Sequence, residues 1–174
     1  MPDWLPEMAS VNPWTEATFE MLYEIFCKDI RDADLKYFGH NVWIFREMEG
    51  GKEAIFWHLT SRKERPKKVP RRKKKFLKDG QEKSEPERLP DLRRCERIPW
   101  IKPMIESSAE PEVTAWDYEE GDRTIKTYIW IRNRNFVVIM KKYPDGKRRL
   151  ITSFYVDSQY KKNDFKRKYA NRIK

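Results

Sequence analysis

Histidine and cysteine are scarce in this chain: His40, His58, Cys27 and Cys95 are all that 174 residues contain. Two cysteines, whether or not they pair, make neither a disulfide framework nor a four-ligand zinc site. Two histidines make no His-rich metal centre, so redox, hydride and metalloprotease chemistry have no foothold. Glycine is also sparse, at six residues. None of the glycine-built motifs occurs: no Walker loop, no dinucleotide fingerprint, no nucleophile elbow. The carboxylates Asp117, Glu119 and Glu120 cluster at a turn without a suitably spaced lysine, which gives a metal-dependent nuclease little support. No apolar run approaches the roughly 18–20 residues of a membrane span. The start, Met1-Pro2-Asp3-Trp4, lacks the basic and apolar regions of a signal peptide. The expectation is a cytoplasmic chain with no membrane partner and no cofactor.

Aromatic residues and charge are what the chain has in quantity. Aromatics reach 14% and charged residues 38%, with a net charge of +10. Chains unable to build a core are poor in aromatics, so disorder throughout is excluded. The charge is unevenly spread. Between residues 62 and 94 there are 15 basic residues against six acidic ones, and between 159 and 174 there are seven against one. The remainder is therefore acidic by five charges. The 62–94 segment carries Pro66, Pro70, Pro86 and Pro90 and few apolar side chains, so it reads as a long, mobile, basic insertion. It is either a solvated linker or a foot on a polyanion, where each neutralised phosphate releases counterions. Lys73, Lys74 and Lys75 form its densest stretch, and Lys161 and Lys162 open the basic tail. In that tail Phe165 and Tyr169 stand at i, i+4, a spacing that packs a short helix onto the body.

The rest is patterned as α+β. Asn12 and Pro13 suit the start of a helix, followed by an apolar stripe of Phe19, Leu22, Tyr23, Phe26 and Ile30. Cys27 beside that stripe reads as packing. The runs 42–45 and 54–59 flank Gly50-Gly51 and suggest a hairpin, whose second arm is a strand or a short helix. Four strand candidates follow, over 113–118, 124–132, 136–142 and 150–156, separated by strong turn chemistry such as Pro144-Asp145-Gly146. They predict an antiparallel four-stranded meander within a single domain. In the second strand Ile125, Thr127, Ile129 and Ile131 alternate with Lys126, Tyr128, Trp130 and Arg132, predicting one core face and one basic-aromatic surface.

One reaction needs little equipment: RNA cleavage by attack of the ribose 2′-OH on its own phosphate. The protein supplies a base, an acid, and donors for the charge that develops on phosphorus. His58, Arg62 shortly after it, Arg132, and Thr152-Ser153-Phe154-Tyr155 offer those groups. Thr152 and Ser153 face opposite sides of a strand, and alternation puts Ser153 with Tyr155. His40, beside Gly39, reads as a turn residue.

The stretches Phe56-Trp57-His58-Leu59-Thr60, Arg97-Ile98-Pro99-Trp100-Ile101, Tyr128-Ile129-Trp130, Phe136–Met140 and Leu150-Ile151-Thr152-Ser153-Phe154-Tyr155 resemble phage and mobile-element members of the barnase–EndoU–colicin–RelE superfamily. That resemblance covers roughly residues 41–60 and 97–160 and skips the basic insertion. It implies a small metal-independent endoribonuclease, often a toxin, with N-terminal helical material before a four-stranded antiparallel sheet. It implies His58 as acid/base, Thr152, Ser153 and Tyr155 at the substrate, and Arg62 or Arg97 on phosphate. The partners are then RNA, gripped by the basic segments with Trp130 or Tyr128 stacking on a base, and a cognate antitoxin or immunity protein. The competing reading is a non-catalytic RNA-binding or protein-interaction module.

Overall fold

Thr15 opens the first helix, α1 (Glu16–Phe26). Its hydroxyl accepts the Thr18 N–H, and the Thr18 hydroxyl accepts the Thr15 N–H, a reciprocal cap. Asn12, the cap expected from sequence, lies three residues upstream and is not used. Leu22, Phe26 and Ile30 turn inward as their spacing predicts, and the helix widens into a π-helical turn over Cys27–Arg31. The computed structural model, which describes residues 2–63 and 88–174, is an α+β fold on a curled six-stranded sheet.

Strand β1 (Lys36–Tyr37) turns through Phe38-Gly39 into β2 (His40–Trp43). The glycine pair does make a hairpin, but a tighter one than expected: β3 (Met48–Glu49) and β4 (Lys52–Glu53) close it, with Gly50 and Gly51 both at positive φ. Residues after it are helical. In α2 (Ala54–Thr60) Ile55, Phe56 and Leu59 are buried together, one helical face against the core. Phe19, Tyr23 and Phe26 of α1 meet Phe56 there, with ring centroids 5.1–5.3 Å apart.

Next, β5 (Ser61–Lys63) pairs antiparallel with β6 (Arg88–Pro90). The outer residues of the expected insertion are thus strand, and α3 (Leu92–Cys95) follows directly. Residues 64–87 lie outside the described ones. A 3-10 turn (Ile98–Trp100) leads into α4 (Ile101–Glu106), both largely buried. Cys27 and Cys95 are free thiols.

Four long strands complete the sheet: β7 (Val113–Glu119), β8 (Ile125–Ile131), β9 (Phe136–Lys142) and β10 (Arg148–Tyr155), each antiparallel to the next. The sheet extends beyond them, because β2 pairs parallel with the start of β10 and β1 lies outside β2. A bulge between Leu150 and Thr152 shifts the β10 register. Leu150, Ser153 and Tyr155 consequently share the inner face, opposite Met140, Val138 and Phe136 of β9.

That inner face packs under α1, α2 and α4 in the larger core. The other face departs from expectation. Trp116, Tyr128, Trp130, Val137 and Ile139 are a second core, roofed by α5 (Gln159–Ala170) through Phe165 and Tyr169. Period-2 alternation separates the faces but carries no information about what covers each one, and here the basic tail supplies the cover. Among the described residues no helix is long and apolar enough to cross a membrane.

Glu120 ties α5 down. It accepts from Lys168 Nζ at 2.9 Å through both carboxylate oxygens and from the Tyr128 hydroxyl. Burial opposes its ionisation, but the Tyr128 hydroxyl and Lys168 ammonium outweigh that, holding its pKa below the ordinary glutamate value. A lowered folded pKa contributes stability above the unfolded value and loses it as pH falls through the lowered one. Acid titration followed by tryptophan fluorescence should therefore show α5 loosening below the usual glutamate range. Glu120→Gln should flatten that step; an unchanged step would place the titrating group elsewhere.

Candidate functional site

Asp91 is the centre of a highly charged cleft. It N-caps α3, with Oδ1 accepting the Arg94 N–H at 3.3 Å. Its Oδ2 forms an ion pair with Arg94, whose Nε lies 3.3 Å away, and accepts a hydrogen bond from Arg62 Nε. The β5–β6 pairing sets Arg62 opposite Leu89, two residues ahead of Asp91, which brings the guanidinium within reach. Helical phase then distributes the other arginines. Arg93 and Arg97, four residues apart, both lie over the Tyr155 ring, at 4.7 and 5.0 Å from its centroid. Arg94, besides its contact with Asp91, donates through Nη1 to the His58 carbonyl at 2.8 Å.

Just past β10, Asp157 closes the rim, 3.3 Å from Arg62 Nη2 and 3.6 Å from Lys161 Nζ. The resulting pocket has a volume of ≈ 520 Å³ and is lined by Arg62, Leu89, Pro90, Asp91, Leu92, Arg93 and Asp157. Five cations (Arg62, Arg93, Arg94, Arg97, Lys161) face three carboxylates (Asp91, Asp157, Glu96). The excess favours an anion. Burial lowers the Arg94 pKa, with Asp91 opposing it. Asp157 resists the same effect: its burial is outweighed by Lys161 and Arg62, and its pKa is held below the usual carboxylate range. The Cys95 thiol beneath is pushed up to about 12 by burial and donates to the Thr60 carbonyl at 3.2 Å, so it is packing and not a nucleophile.

The structure gathers some of the expected site residues and scatters others. His58 is exposed on α2, and Arg62, Arg97 and Tyr155 meet at the cleft as described. Arg97 is held between the Trp100 and Tyr155 rings and paired to Glu96. Ser153 shares the Tyr155 face but is fully buried, its hydroxyl without a hydrogen-bond partner among the described residues. It cannot touch a substrate from there. Thr152 pairs with Ile139 on the α5 side of the sheet. Arg132 lies on that side too, over Trp130 and Tyr169 at 5.4 and 5.1 Å, away from the cleft. Trp130 is only 2% exposed, and Tyr128 likewise 2%, because α5 covers them; neither can stack on a base. Lys161 joins the rim through Asp157, while Lys162 sits half-buried next to it on α5. Lys73, Lys74 and Lys75 lie outside the described residues.

Arg93, Arg94, Asp91 and Asp157 are site residues that the sequence reading did not single out. Asp91 carried a usable signal, an Asp three residues ahead of Arg94 in an N-cap position, but its setting in a proline- and lysine-rich segment argued for loop. Comparison with protein-family models, curated proteins and solved structures gives no match.

Proposed function

We propose that the protein is a metal-independent endoribonuclease acting at the arginine cleft. One observation carries the reading. Residues far apart in sequence, Arg62, Arg93, Arg97 and Tyr155, form a cationic cleft beside the short helix that bears His58. A guanidinium group matches the planar, bidentate geometry of a phosphodiester, and Arg97 is fixed by two rings before any ligand arrives. In the proposed reaction the 2′-oxygen attacks phosphorus and the 5′-oxygen leaves, giving a 2′,3′-cyclic phosphate. His58 takes the 2′-hydroxyl proton, solvent water protonates the departing 5′-oxygen, and the arginines stabilise the added charge. Ser153 acts only by supporting Tyr155. The sheet with its preceding helices is, on this reading, an elaborated form of the four-stranded architecture that the sequence resembles. RNA is the substrate, and a cognate antitoxin or immunity protein would cover the arginines with carboxylates.

The test is incubation of the full chain with total RNA in EDTA, beside His58→Ala and Arg93→Ala. His58 and Arg93 are exposed, so both variants should fold. Cleavage should persist in EDTA and fall by roughly 10²-fold in His58→Ala. Arg93→Ala should weaken RNA binding and lower the salt dependence of affinity by about one phosphate contact. Intact RNA with a salt-sensitive gel shift would replace the enzyme by a binding module. No shift at all would remove RNA as the ligand.

A further inference from the structure

A second polar pocket lies at the opposite end of β10, roughly 20 Å from the cleft given the rise of a strand. Its volume is ≈ 540 Å³, within the range of small-ligand sites, and Tyr37, Phe38, His40, Asp117, Lys142 and Arg148 give it its character. At its base Asp117 is oversubscribed: it accepts from Thr127 at 2.6 Å and Lys142 at 2.7 Å, with Arg148 Nη2 at 3.4 Å. Two cations share that carboxylate, and the other carboxylate of the lining, Asp145, is paired with Lys147 at 3.1 Å, which leaves positive charge for an incoming anion. Arg148 is held in place, donating to Thr127 and to the Gly146 carbonyl and lying 4.8 Å over the Tyr37 ring. Lys142 keeps 31% of its side chain exposed, so it can reach a ligand. The His40 ring lies against Gly146 so closely that a Cβ there would come within 2.5 Å of it; only glycine lets the imidazole occupy that wall.

The rim carries an aromatic in an unfavourable position. Phe38 and Gly39 form a two-residue hairpin turn, both at positive φ, +45° and +81°. Such turns select Asn-Gly, because a side chain with a Cβ is crowded in that conformation. Here the position is filled by a phenylalanine 62% exposed, set edge-on to Tyr37 at 4.8 Å. Folding gains little from this ring: it is in water, and its backbone is strained. Strain held at the rim of a polar pocket points to a ligand contact.

We propose that this pocket binds a mononucleotide, with its phosphate between Lys142, Arg148 and His40 and its base against Phe38. Charge and ring then act on two parts of one ligand, and neither half alone engages both. The site is independent of the arginine cleft and of RNA cleavage.

Calorimetry on the full chain with adenosine 5′-monophosphate, adenosine and inorganic phosphate tests it. The nucleotide should bind about tenfold or more tightly than either fragment. Lys142→Ala should weaken nucleotide binding by about tenfold, the loss of one charge-assisted contact. Phe38→Asn is the decisive variant. Asparagine suits the turn, so the melting temperature should hold or rise while nucleotide affinity falls to that of phosphate. Equal affinity for nucleotide and phosphate, or unchanged nucleotide binding in Phe38→Asn, would overturn the proposal, as would no binding.

Discussion

Phe165→Ala should destabilise the protein by about 3–5 kcal/mol in urea unfolding, the usual loss when a buried phenylalanine is cut to alanine. Phe165 is the buried side chain of α5, and its ring meets Trp116, Tyr128, Trp130 and Phe154 at 5.6–6.5 Å. The remaining face of α5 is basic, and a twelve-residue helix of that composition has little stability of its own. Losing the anchor therefore frees the helix and opens the second core at once. Tryptophan emission should shift red as Trp116 and Trp130, now 4% and 2% exposed, meet water. Phe165→Leu restores most of the apolar volume and should cost under about 1.5 kcal/mol. A small loss in the alanine variant with unshifted emission would mean that Glu120 and Lys168 alone hold the helix.

Asp91→Ala carries the second large effect, about 3–4 kcal/mol. It removes the α3 cap, about 1 kcal/mol, and leaves the largely buried Arg94 without its carboxylate, which costs the rest. Arg62, half exposed, loses less because water can replace its partner. Asp91→Asn separates the contributions. Asparagine caps as well as aspartate, so this variant should recover about 1 kcal/mol relative to alanine while still lacking the ion pairs. Equal losses in the two variants would show that the cap contributes nothing. On the proposed function, the surviving asparagine variant should bind RNA more tightly, because two guanidiniums lose their internal competitor.

These two residues also mark where sequence reading works. The i, i+4 spacing of Phe165 and Tyr169 shows a helix with an aromatic face, and that helix is present. What it lies on is not written locally. Trp130 and Tyr128 alternate with isoleucines as a solvated strand face would, and only a helix some thirty residues later buries them. Ser153 has the same history: alternation puts it beside Tyr155, while the depth of packing under α2 and α3 decides that its hydroxyl never reaches the surface. Asp91 stands in a stretch whose composition indicates loop, and its role depends on Arg62 and Asp157, which are brought to it by strand pairing.

The sequence by itself determined the α+β character, the α1 stripe, the four turn-bounded strands and the division of charge into an acidic body with two basic segments. These follow from local rules: turn residues set backbone angles, periodicity sets faces, and charge is counted along the chain. Tertiary structure alone decided that 54–60 is a helix, that the sheet takes in β1 and β2, that both its faces are covered, and that the arginines converge on Asp91 and Tyr155. Burial and ion pairing act between residues close in space at any separation in sequence, and no local pattern encodes which distant segment arrives.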